Sequence, residues 1–68
     1  MSAMQINTKL IEEERERQGM GKCSFAYGIG LSVYGYGRLL KERSTSMKTL
    51  NRIADTLHLD PRDLLSND

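Results

Sequence analysis

Apolar residues recur at steps of three and four through Met47, Leu50, Ile53, Ala54 and Leu57, the clearest amphipathic pattern in the chain. That period marks one face of an α-helix. Ser46 stands where an N-cap belongs, and the spacing predicts a helix from residue 47 to residue 57. Upstream, Phe25, Ala26 and Ile29 form the inward side of a helix over 22–29, and Tyr36 and Leu39 that of a helix over 33–41. A first helix is expected over 8–18, with Asn7 as its cap, Leu10 and Ile11 as anchors and Gly19 as its stop. Its apolar stripe is thin, so it is stable only when packed. Glu12, Glu13 and Glu14 come early in it and Arg15 and Arg17 late, an order that suits the helix dipole. Downstream, Asp60-Pro61-Arg62-Asp63 combines a cap, a proline at the first helical position and an acid at the third, opening a short last helix over 61–65. Residues 42–46 read as a polar loop, and 1–6 and 66–68 as frayed ends. The expectation is all-α: one domain over residues 1–68, folded as a compact five-helix bundle.

The two middle helices meet at Gly30. Ala26 lies one turn before it and offers little bulk to an approaching helix. Glycine adopts positive φ without a steric penalty, which a sharp turn between helices requires. Leu31 then points inward and Ser32 caps the helix that starts at Val33. This is the layout of a helix-turn-helix, whose second helix lies in the DNA major groove. Gly28, Gly35 and Gly37 stand against it. Each costs about 1 kcal/mol in a helix interior, roughly 3 kcal/mol together out of a typical 5–15. Two readings therefore stand at 32–37. One is a strand or loop in which Val33 alternates against Tyr34 and Tyr36. The other is a helix in which the missing Cβ atoms of Gly35 and Gly37 allow close approach to the preceding helix or to a DNA strand.

Charge sharpens the second reading. The net formal charge of the 68 residues is only +1, but residues 1–18 carry −1, residues 19–52 carry +5 and residues 53–68 carry −3. A basic middle between acidic ends suits a polyanion-facing surface. A chain this short buries only about 60% of its unfolded surface, so a small helical core or a homodimer is expected rather than a catalytic cleft. Cys23 is the sole cysteine and His58 the sole histidine, which excludes an internal disulfide and a cysteine-based zinc site. No apolar run approaches membrane-spanning length, and the first residues lack a signal-peptide core. A cytoplasmic protein is expected. Gly19-Met20-Gly21-Lys22-Cys23 lacks the earlier glycine of a phosphate-binding loop, and Gly28-Ile29-Gly30 lacks the third glycine of a dinucleotide fingerprint. The expectation is no enzyme activity, no metal, no cofactor and no small-molecule ligand.

Residues 11–65 resemble the Cro/repressor family of DNA-binding domains, the xenobiotic-response-element type. Gly19-Met20 is similar to the family's Gly-Leu before the second helix, and Lys22 stands where a glutamine or lysine usually opens it. Ala26, Gly30, Leu31, Ser32 and Tyr36 fall on the family's Ala, Gly, Val, Ser and Ile/Val sites. Residues 47–57 resemble its fourth helix and 60–65 its closing one. Gly35-Tyr36-Gly37 is similar to lambda repressor-like domains, which flank the buried residue of the recognition helix with glycines. Two positions depart from the pattern. Arg15 matches a family arginine that pairs with a glutamate ending the third helix, but Leu40 stands at that acid's site and leaves Glu42 as the replacement. Glu14 occupies a site that is usually apolar.

The resemblance implies double-stranded DNA as partner, a homodimer, a role as transcriptional repressor and a bacterial or phage origin. In this family the end of the helix carrying Ser32, Val33 and Tyr34 points into the groove. Ser32 can hydrogen-bond a base or phosphate, Val33 can pack on a thymine methyl, and Tyr34 offers a hydroxyl or an apolar face. Arg38 is the candidate for guanine O6/N7, with a phosphate contact as its alternative. Gly37 provides the close approach. Lys22, Lys41, Arg43 and Lys48 are candidates for phosphates. By analogy with relatives, Leu64 and Leu65 are the expected dimer surface. The rival reading is a helix-turn-helix-fold module that binds protein, such as an antitoxin or accessory factor, through Tyr34 and Tyr36.

Overall fold

The computed structural model describes residues 4–65; the end segments 1–3 and 66–68 lie outside it. The first departure from a purely helical chain comes at once. Met4–Gln5 (β1) pairs antiparallel with Ser44–Thr45 (β2), Met4 opposite Thr45 and Gln5 opposite Ser44. Ile6 is almost fully buried, its N–H donates to the Arg43 carbonyl at 2.9 Å, and it bridges to Leu65. Residues 4–6 are thus a fastened strand rather than a frayed lead-in, and 44–45 are its partner rather than loop.

Four α-helices follow the expected order: α1 (Thr8–Arg17), α2 (Lys22–Gly28), α3 (Val33–Glu42) and α4 (Met47–Leu57). The fifth element, Pro61–Leu64, is a single 3-10 turn, so the domain is a four-helix fold with a two-stranded ribbon and not a five-helix bundle. Side-chain caps start the helices where the sequence offers them. Asn7 Oδ1 accepts from Leu10 N–H at 3.1 Å, Ser32 Oγ from Gly35 N–H at 3.0 Å, Ser46 Oγ from Thr49 N–H at 3.3 Å and Asp60 Oδ1 from Arg62 N–H at 2.9 Å. Arg43 and His58 end α3 and α4 in left-handed conformation, with φ near +60°. His58 is therefore a C-cap.

The core joins Ile6 and Ile11 to Phe25, Ala26 and Ile29 of the α2 segment, Tyr36 and Leu39 of α3, Leu50, Ile53, Ala54 and Leu57 of α4, and Leu64. Phe25 and Tyr36 meet edge to face, their ring centroids 5.3 Å apart. Met47 does not join the stripe that its spacing implies; it is 53% exposed, one turn ahead of the buried Leu50. Leu64 is wholly enclosed by this core, so it is not free to form a dimer surface, and Leu65 is half-buried beside it.

Docking of α1 rests on a polar knot. Arg15 is buried, and its Nη1 donates to the Met20 carbonyl at 2.6 Å while Nε and Nη2 reach the Glu12 carboxylate at 3.1 and 2.8 Å. The same carboxylate accepts the Tyr36 hydroxyl at 2.5 Å. Arg15 chiefly, with Tyr36 assisting, holds the Glu12 carboxyl below the usual glutamate range. Burial first, and then Glu12, pushes the Tyr36 phenol well above its ordinary range. The acid that Arg15 needs thus comes from its own helix, and Glu42 does not replace it. Glu42 instead lies 3.5 Å from Arg38, one turn back on α3. Glu14 is half-buried and pairs with the exposed Arg17 three residues on.

At the joint between α2 and α3, Gly30 has φ +81°. A Cβ there would run into the Arg52 guanidinium, which lies over the turn from α4. Gly30→Ala should cost about 1–2 kcal/mol, the penalty of a left-handed residue that carries a Cβ. Arg52→Ala should not rescue it, because the guanidinium ends a flexible side chain and swings aside easily. Urea melts of the two single variants and the double variant would check this; full rescue by Arg52→Ala would locate the strain in the contact instead of the backbone.

Candidate functional site

The segment after Ser32 is helical, and the strand reading of 32–37 fails. Three turns of α3 leave two kinds of side chain at the surface. Tyr36 and Leu39 are buried against α2 and the core, while Ser32, Val33, Tyr34, Gly37, Arg38 and Lys41 are exposed. Tyr34 is 88% exposed, and a Cβ on Gly37 would meet nothing within 4 Å. One on Gly35 would touch Leu31 and Ser32 only at ordinary contact distances of 3.5–3.7 Å. Neither glycine is needed for α3 to pack on its own chain.

Ser32 has a double position. Its Oγ accepts the capping hydrogen bond from Gly35, while the hydroxyl proton stays free to donate outward. Arg38 reaches Glu42 across an exposed i,i+4 spacing. Pairs of this kind contribute about 0–1 kcal/mol, so the guanidinium exchanges readily for a better acceptor.

The other expected cations are all exposed and stand on different elements. Lys22 opens α2, whose cap Gly21 supplies no side-chain oxygen. Arg43 follows α3, and its carbonyl is engaged by Ile6. Lys48, in the first turn of α4, shares a polar depression of about 350 Å³ with Ile29, Gly30, Thr49 and Arg52. Lys22, Lys41 and Arg43 border neither this depression nor the two beside α3.

Those two depressions lie beside different parts of α3. One, of about 280 Å³, runs between α3 and β2 and includes Gly35, Arg38 and Glu42. The other, of about 290 Å³, lies between the outer side of α2 and the start of α3, lined by Cys23, Tyr27, Leu31, Ser32 and Val33. Two residues at these sites escape a reading from sequence. Arg52 is one helical turn beyond Lys48, a spacing that signals a shared face. Tyr27 follows Cys23 by four on the outward side of α2, and it is 86% exposed.

Among the described residues no helix is long and apolar enough to cross a membrane, and no three His, Cys, Asp or Glu side chains gather as a metal cage would require. No protein-family model, curated protein or solved structure matches the chain.

Proposed function

We propose that the chain is a sequence-specific DNA-binding regulator that presents α3 to the major groove and acts as a homodimeric repressor on a pseudo-palindromic operator. The two copies of α3 would then stand about one DNA turn, ~34 Å, apart. The observation that carries this is the unobstructed outer side of α3, which lies in an acid-free stretch up to Glu42 at the helix end. From Gly19 to Lys41 the chain holds no Asp or Glu, and Ser32, Val33, Tyr34, Gly37 and Arg38 are open to solvent. The turn at Gly30 and the resemblance of residues 11–65 to Cro/repressor domains support the same reading. In it, α2 and α3 form the helix-turn-helix, Arg38 reads a guanine, and Lys22, Lys41, Arg43 and Lys48 engage phosphates.

Duplexes selected from a random DNA pool provide the test. Log affinity should fall linearly with log salt, by about 0.9 for each phosphate neutralised. Arg38→Ala should change which sequence is preferred, whereas Lys48→Ala should weaken all sequences alike and reduce the slope by about 1. A salt-independent affinity would remove the proposal.

The protein-binding alternative keeps one specific observation, the solvent exposure of Tyr27 and Tyr34. It loses Tyr36, which is buried. Failure to retain any duplex in the selection favours it.

A further inference from the structure

The cleft between α2 and α3 holds no charged side chain, and of its apolar residues Leu31 packs against the core while Tyr27 and Val33 stay exposed. Its walls are the Tyr27 side chain, Leu31, Val33 and the Cys23 thiol, with Ser32, whose Oγ already accepts a bond as the cap of α3, at the edge shared with that helix. It shares Ser32 and Val33 with the end of α3 proposed to enter the groove. Lys22 is next to Cys23 in sequence, and no carboxylate occurs on the chain from Gly19 to Lys41. An apolar cleft on a stretch of chain without a single carboxylate suits an occupant that is apolar at the point of contact and polyanionic around it.

Duplex DNA presents such a group in the major groove at one base only, the C5-methyl of thymine. We propose that this cleft takes the methyl edge of a thymine, and that Tyr27 of α2 is a specificity-determining residue alongside Val33 of α3. The inference rests on the DNA-binding reading and deepens it, because it gives α2 a part in base selection.

The test replaces each thymine of a selected duplex, one at a time, by deoxyuridine, which removes the methyl and nothing else. Affinity of the full chain is read by fluorescence anisotropy. One thymine per half-site should weaken binding about fourfold on replacement, the worth of one buried methyl. Tyr27→Ser should bring that ratio close to unity, as should Val33→Ala. Both positions are exposed, and an unchanged helical circular-dichroism signal verifies the fold. Lys48→Ala should weaken binding while preserving the ratio. A ratio near unity at every thymine of a tightly bound duplex overturns the inference and leaves DNA binding standing. A fourfold effect that survives Tyr27→Ser overturns it too, since the methyl is then read elsewhere. If no duplex is retained, the inference and the DNA-binding reading fall together.

Discussion

Arg15→Ala should destabilise the domain by about 3 kcal/mol, a large part of what holds a chain of this size together. The guanidinium joins the Met20 carbonyl after α1 to the Glu12 carboxylate that also holds the Tyr36 hydroxyl, with the exposed Glu16 as a further partner at 3.5 Å. Its removal strips charge compensation from Glu12 and leaves the Met20 carbonyl without its donor. Losing one member of a fully buried pair costs about 3–5 kcal/mol. The Glu12 side chain is 27% exposed, so water compensates in part and the lower end applies.

The measurement is the urea midpoint at constant slope, with Arg17→Ala as the reference. Arg17 is exposed, and losing it should leave the midpoint nearly unchanged; equal shifts in the two variants would contradict the assignment. Acid provides a second arm of the same experiment. A carboxyl held below its ordinary range stabilises the fold above its unfolded pKa, and that contribution vanishes as pH falls through the folded value. The Glu12 share of acid destabilisation should therefore shrink in Arg15→Ala, because Arg15 is the main cause of the depression.

This knot marks where sequence alone stopped being informative. The pattern of apolar steps sufficed for α2, α3 and α4, because burial of Phe25, Ala26, Tyr36, Leu39, Leu50, Ile53 and Leu57 determines which face turns inward. Caps at Asn7, Ser32, Ser46 and Asp60 were equally readable, since each needs only a side-chain oxygen two or three residues before an N–H. Glu12 was not readable as the partner of Arg15: three successive glutamates lie within reach along α1, and tertiary contact with Tyr36 selects among them. The ribbon was hidden for a different reason. An alternation of Met4, Gln5 and Ile6 is too short to stand out, and Ser44-Thr45 carries no apolar mark. Met47 repeats the lesson from the other side, since helical spacing continues past the point where the core ends.

The candidate site divides along the same line. Exposure of the outer side of α3 follows from the inward placement of Tyr36 and Leu39, so Val33, Tyr34, Gly37 and Arg38 could be named from periodicity. For Tyr27 and Arg52 the four-residue steps from Cys23 and Lys48 mark a shared helix face, but spacing does not show the neighbouring element that gives each its place, the start of α3 for Tyr27 and the turn at Gly30 for Arg52. Leu64 shows the converse, an apolar residue expected outside that the ribbon and the helices enclose.

The glycines of α3 give the second large effect, and it has opposite signs in two measurements. Replacing Gly35 and Gly37 together by alanine should stabilise the free protein by about 2 kcal/mol, because each interior glycine costs about 1 kcal/mol relative to alanine. Nothing in the domain resists the added methyls: the one at 37 meets open space and the one at 35 meets Leu31 and Ser32 at ordinary distances. For a domain of this size the melting temperature should rise by about 8–16 °C. If α3 lies against base pairs, the same double variant should bind selected duplexes at least about tenfold more weakly, because the new methyl at 37 stands off the surface that requires close approach. A rise in melting temperature with unchanged affinity would mean that the helix does not lie so deep in the groove. A fall in melting temperature would mean that α3 packs more tightly than the space around Gly35 and Gly37 indicates. Stability given up along an exposed helix, with no return inside the domain, is best explained by a partner that comes close enough to need the room.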